Sequence, residues 1–243
     1  VARLLGCVIL DLDGTLVEFP HEWIKRAKQT SLERLAASGF RVPQVSTSRP
    51  LSEIIAEVIA LNGDGHEEAV HRIVDSTFKV FEIAAAAEAK VRDGAKALLE
   101  SISSTVSVAV ATNNSRDAAL RSLEVAGLMR YVDVVVSRDE VERMKPDPQM
   151  ILRAVRECRS TLNGTVHIGD SYVDVLAARN AGVLSMAVLG GVSNLEDFLR
   201  HRPHLLARDL EEARRFLEAI VLGRRDALPT GSERNSFFPL RDV

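Results

Sequence analysis

The sequence predicts an α/β fold, a Rossmann-like doubly wound parallel sheet core with an inserted helical cap domain. Three observations carry this. Short apolar runs alternate with amphipathic segments along most of the chain; an acidic turn, Asp11-Leu12-Asp13-Gly14-Thr15, follows the first apolar run directly; and between Leu16 and about Lys90 the strand pattern gives way to helical pattern alone. With 243 residues, 46% of them hydrophobic, there is enough apolar material for a core and an insert.

In chain order, runs at 4–10, 105–111, 132–136, 165–168 and 184–188 read as buried strands, and helical patterns at 93–102, 115–127, 147–159 and 172–181 follow them. Asp93 and Ser115 suit helix starts, while Gly127 and Gly182 suit helix ends. Gly190-Gly191 permits a tight loop after the fifth strand. The insert shows helical stretches at 21–37, 50–61 and 66–89, broken at Pro43 and Asn62-Gly63, and Ala84 to Ala87 is a run of strong helix formers. The expected domains are a core of residues 1–16 and 91–222, a cap of residues 17–90 whose linkers lie over the site, and a mobile tail at 223–243.

Composition excludes several function classes. The 31 basic and 34 acidic residues leave a net charge of -3, with no concentrated basic face for nucleic acid. No apolar stretch reaches the ~20 residues of a membrane helix, and the first ten residues lead straight into the acidic turn without the marks of a cleavable signal. A cytoplasmic enzyme is expected. Cys7 and Cys158 read as small buried hydrophobes and not as a disulfide, and no zinc spacing is present. The sequence carries no marker of oligomeric state.

The chemistry concentrates where strands end. Asp11 and Asp13 emerge from a buried strand with Gly14 allowing a sharp turn, so one carboxylate can attack and the other can handle a proton. Paired carboxylates also suit Mg²⁺, which takes oxygen ligands. Thr112-Asn113-Asn114 follows the run Val106 to Ala111, Lys145-Pro146 sits in a loop before a helix, and Gly169-Asp170-Ser171 follows Val166-His167-Ile168 with Asp174 one helical turn on.

This order of an Asp-x-Asp pair, a Thr, a Lys and a late Gly-Asp with a further Asp resembles the haloacid dehalogenase-like superfamily. VVVSRDEVERMKPDP at 134–148 and IGDSYVDVLAARNAGV at 168–183 resemble its phosphoglycolate phosphatase-like branch. The resemblance covers roughly 4–19 and 91–191. It implies a phosphatase with Asp11 as nucleophile, forming an aspartyl-phosphate, and Asp13 as acid/base. Thr112 and the Asn113 backbone N–H resemble the phosphate-binding pair, and Lys145 is expected to stabilise the transferring phosphoryl group. Mg²⁺ is expected on Asp11, the backbone carbonyl of Asp13, Asp170 and, directly or through water, Asp174.

The expected substrate is a small phosphorylated metabolite, with neither a nucleic-acid nor a membrane partner. A phosphomutase using the same Asp pair, or a catalytically silent protein on this fold, are the alternatives. Haloacid dehalogenation is disfavoured, because that branch lacks the second Asp. Asn114 suits either substrate contact or capping of the next helix, and Arg116 also extends past the second motif toward substrate. Arg41 and Arg49 are the cationic loop residues of the insert best placed to meet an acidic substrate, and His21 and Trp23 stand close after its first linker. His66 and His71, five apart, do not share a helix face and read as structural or exposed.

Overall fold

The computed structural model describes residues 5–44, 49, 51–63 and 65–221. Strands β1 (Cys7–Leu10), β2 (Ser107–Ala111), β3 (Val134–Val136), β4 (Thr165–Gly169), β5 (Leu184–Val188) and β6 (Leu205–Ala207) form one parallel sheet in the order β3-β2-β1-β4-β5-β6. Strand β1 is central, with Leu10 level with Val110 on one side and Ile168 on the other. The chain winds outward from β1 through β2 and β3, then restarts beside β1 at β4. That reversal opens a crevice at the carboxyl ends of β1, β2 and β4, where this class of sheet binds ligands.

Both faces of the sheet are covered, as the near-continuous apolar strands require. Alternation along β1 sends Val8 and Leu10 to one face and Cys7 and Ile9 to the other. The first face packs on α4 (Ala95–Ile102), α5 (Arg116–Val125) and α9 (Leu210–Val221); the second packs on α6 (Gln149–Glu157) and α7 (Tyr172–Ala181). A smaller cluster joins Val175, Ala187 and Phe198 of α8 (Leu195–His201). Helix α6 shows why such segments fold: Met150, Ile151, Ala154 and Val155 recur at helical spacing and are all buried. Cys7 and Cys158 are both free thiols.

The chain forms two compact units, one combining residues up to Phe19 with those from Ala89 onward, the other Pro20–Glu88. The second is a bundle of α1 (His21–Ala37), α2 (Leu51–Asn62) and α3 (Glu67–Ala87), packed through Leu32, Leu35, Val58, Val70, Val74 and Phe78. In it the Arg49 guanidinium is paired with Glu57 at 2.7 Å and Glu53 at 3.4 Å, so its charge is already engaged, whereas Arg41 is exposed. Trp23 packs on Phe81 at 6.3 Å and donates to Glu88, and His66 meets Phe40 edge-on.

Two features differ from the expectation. Strand β6 and helices α8 and α9 lie in a region where no elements are expected. Gly94, not Asp93, holds the N-cap of α4, with a left-handed φ of 83° that a glycine adopts freely. The tail expected over 223–243 lies outside the described residues. No helix among the described residues is long and apolar enough to cross a membrane.

Candidate active site

Strand β1 delivers Asp11, β2 delivers Thr112, and β4 delivers Asp170, all at adjoining strand ends. Asp11 continues the ladder by one bond, its N–H donating to Ile168 O at 2.9 Å, before the chain turns. The turn is tight: the amides of Thr15, Leu16 and Val17 all donate to Leu12 O, and Gly14 has φ of 84°. The chain then leaves and re-enters as a short antiparallel pair, with Glu18 N–H on Lys90 O at 2.9 Å and Arg92 N–H on Leu16 O at 3.0 Å.

Oxygens of Asp11, Asp170 and Asp174 lie within 4.8 Å of one another. Asp170 and Asp174 are 1% and 3% exposed, and the Asp11 side chain 13%. Lys145 enters from the loop before α6 and donates from Nζ to Asp11 Oδ1 at 2.6 Å, Asp174 Oδ1 at 2.7 Å and Ala111 O at 2.8 Å. Two carboxylates thus share one ammonium, and Asp170 stands beside them. Burial works against a charged Lys145, but Asp11 and Asp174 more than offset it and hold the amine protonated. Burial likewise pushes Asp174 upward, but Lys145 and His167 overcome it and hold this carboxylate at about 2. Asp11 is raised by burial and by Asp174, with Lys145 pulling the other way. Asp170 is pushed up to about 7 by burial and by the charges of Asp11 and Asp174.

The glycines of the site make room for these carboxylates. A Cβ on Gly14 would stand 2.3 Å from Asp170 Oδ2, one on Gly191 2.1 Å from the same oxygen, and one on Gly169 2.2 Å from Asp174 Cγ. Gly191 is therefore more than a turn residue. The donor set is all oxygen and cradled by missing side chains, which fits a hard divalent ion such as Mg²⁺. The Asp13 side chain stands outside this trio of carboxylates and accepts from Asn114 Nδ2 at 2.8 Å.

The second motif serves the site partly through unexpected atoms. Thr112 is buried and its Oγ1 accepts from Asn114 N–H at 3.2 Å. The Asn113 side chain pairs with the Lys145 backbone, accepting from its N–H at 3.1 Å and donating to its carbonyl at 3.3 Å, so it fixes the lysine loop. The N-cap of α5 is Ser115 and not Asn114. Arg116 turns to Glu140 at 2.9 Å and Val135 O at 3.0 Å, a structural tie.

Several contributors carry weaker sequence signals. Thr15 donates to Asp170 Oδ1 at 2.9 Å and Val192 N–H to Asp170 Oδ2 at 2.6 Å, while Ser193 N–H meets the Asp170 carbonyl at 3.0 Å. His167 lies 3.3 Å from Asp174 Oδ1 through Nε2 and 3.2 Å from Ile9 O through Nδ1. Arg92 donates to the carbonyls of Gly14 and Leu189, fastening the loops that flank Asp170. Among these, a histidine in an otherwise apolar strand and a Gly-Gly pair at a strand end are readable clues; Arg92 has no local signal, because its partners are distant in sequence.

Comparison with known proteins gives the family and the fold. The family model described as haloacid dehalogenase-like hydrolase matches residues 8–188. "Probable phosphatase IndB" of Dickeya dadantii is 31% identical over 212 residues, covering 84% of this chain and 90% of that protein. The pyrophosphatase PpaX of Listeria monocytogenes serotype 4a is 26% identical over 209 residues, covering 84% and 93%. Among solved structures, CbbY from Rhodobacter sphaeroides in complex with phosphate superposes with a TM-score of 0.62 at 23% identity, covering 86% of this chain and 96% of that one, which speaks to the fold.

Proposed function

The chain belongs to the haloacid dehalogenase-like hydrolase family as one of its phosphatases, and from that premise we propose that it hydrolyses a small phosphorylated metabolite, a phosphoglycolate-like phosphate monoester, with Mg²⁺ as cofactor. The observation that carries this reading is the cluster of Asp11, Asp170 and Asp174 at the sheet's reversal point, with Lys145 paired to Asp11 and Asp174.

Asp11 attacks phosphorus as the ester P–O bond breaks, forming an aspartyl-phosphate. Lys145 holds the Asp11 carboxylate in place and lessens its repulsion of an incoming phosphoryl group. Thr112 and the Asn113 N–H receive phosphoryl oxygens. Asp13 gives its proton to the leaving oxygen, then takes one from the water that attacks the aspartyl-phosphate, which releases inorganic phosphate and regenerates Asp11. Asp11, Asp170 and the Asp13 carbonyl would hold Mg²⁺ directly, with Asp174 as an outer or direct ligand. Bound there, Mg²⁺ supplies charge neutralisation at the phosphoryl oxygens.

The three-helix unit is proposed as the cap that selects substrate, and the free thiols of Cys7 and Cys158 support a cytoplasmic setting. Pyrophosphate is the second reading, favoured by the pyrophosphatase relatives. The test is phosphate release from a panel of phosphate esters and pyrophosphate, with Mg²⁺ and with chelator. Metal-dependent release of free phosphate from a monoester supports the reading. Phosphoryl transfer to a second hydroxyl without release would make the protein a mutase, and preference for pyrophosphate would select the second reading.

A further inference from the structure

Asn114 stands one residue before the N-cap of α5, yet its side chain serves another loop. Its amide Nδ2 donates to Asp13 Oδ2 at 2.8 Å across 101 residues of sequence, and both residues are half-buried. The contact follows from the sheet: β1 and β2 lie side by side with Leu10 level with Val110, so the loops leaving them run next to each other. Asn114 is itself held from both sides of its backbone. Its N–H donates to Thr112 Oγ1 at 3.2 Å, and its carbonyl accepts from Arg138 N–H at 3.1 Å. The Arg138 guanidinium adds a further tie, donating to Asn113 O at 3.1 Å. An amide on so fixed a backbone is a rigid donor.

We infer that Asn114 is a positioning residue for the acid/base, holding the Asp13 carboxyl in the orientation from which it delivers and later receives the proton. In the first step that proton passes from the Asp13 carboxyl to the ester oxygen, which takes the electron pair of the breaking P–O bond while the Asp11–phosphorus bond forms. Proton transfer of this kind is sensitive to small errors of aim. A misaimed acid matters most when the leaving oxygen is strongly basic, and little when the leaving group departs as a stable anion.

This inference rests on Asp13 being the acid/base, and the experiment separates the two. For wild type, Asp13→Asn, Asn114→Ala and Asn114→Asp, kcat/KM is measured with Mg²⁺ for an alkyl phosphate and for an activated aryl phosphate, alongside the unfolding temperature of each variant. kcat/KM reports the first step, before the phospho-enzyme is hydrolysed. Asp13→Asn should cost the alkyl ester about 10²–10⁴-fold more than the aryl ester, the ordinary range for a lost general acid. Asn114→Ala should shift the same ratio in the same direction by at least about tenfold. The near-isosteric Asn114→Asp, which replaces the donor by an acceptor, should shift it at least as far and keeps the test open should the alanine variant not fold. A merely structural role would lower both esters together. If Asp13→Asn shifts the ratio and neither Asn114 variant does, the positioning role is overturned while the acid/base stands; if Asp13→Asn leaves the ratio unmoved, the acid/base reading falls and the inference with it.

Discussion

At the scale of single residues, the site is an electrostatic arrangement in which one lysine serves two carboxylates, Asp11 and Asp174. Removing Lys145 leaves Asp11 and Asp174 facing each other in a nearly dry environment, and an orphaned buried charge costs about 3–5 kcal/mol. Lys145→Met should therefore lose both stability and turnover, with every substrate depressed together; a variant that loses activity on some esters alone would contradict the role. Asp170 gives a pH-dependent prediction. Its folded value is about 7, against an ordinary carboxyl value of about 3.9 when unfolded. The native state thus binds more protons between these values, so the stability this group contributes without metal is present below about pH 4 and lost as pH rises through about 7. Metal-free wild type and Asp170→Asn should unfold at temperatures that diverge from pH 5 to pH 8, with wild type falling behind. Mg²⁺ should raise the wild-type unfolding temperature more at pH 8 than at pH 5.5. A gap that does not change with pH would contradict the assignment.

At the scale of elements, the strand ends and their glycines decide what the side chains can do. Gly191 has no left-handed φ, so Gly191→Ala tests space alone: the added Cβ meets Asp170 Oδ2 at 2.1 Å and must push that carboxylate away from Thr15 and Val192. Mg²⁺ affinity should fall by about 10–100-fold, as when the partners of a ligand are disturbed, with much of the fold's stability kept. Titration of metal binding by calorimetry checks it, and unchanged affinity would mean that Asp170 is not held for the ion. Much of this was legible in the sequence. Strands β1 to β5, the helices between them and the helices of the insert stand within a few residues of their periodic patterns, because each carries enough apolar positions to show a period. Strand β6 is as short as β3, but its Leu-Leu-Ala lacks the β-branched run of Val134–Val136 and stands between His204 and Arg208, so nothing marks it as a strand. Helix α9 does carry a readable period in Leu210, Ala213, Phe216 and Leu217. The ion-pair core was legible as motif order; Asn113 on Lys145, Asn114 on Asp13 and Arg92 on two carbonyls were not, since each joins loops that only the sheet order makes neighbours.

At the scale of the whole molecule, chemistry is proposed for the sheet unit and substrate choice for the three-helix unit. The Arg49 charge is engaged by Glu57 and Glu53 at the surface, so Arg49→Ala should change stability little and leave the order of substrates intact. Arg41→Ala, by contrast, should lower kcat/KM for acidic phosphate esters relative to neutral ones; equal effects on both would move selection to the sheet unit. The central claim is that this chain breaks phosphate esters by covalent transfer to Asp11. The most direct measurement is to incubate Asp13→Asn with Mg²⁺ and an activated aryl phosphate, quench the mixture, and locate any covalent phosphate by peptide mass spectrometry. The account predicts a phosphorylated Asp11 that is hydrolysed slowly, and none in Asp11→Asn; phosphate released in multiple turnovers by Asp11→Asn, or a label on another residue, would contradict it.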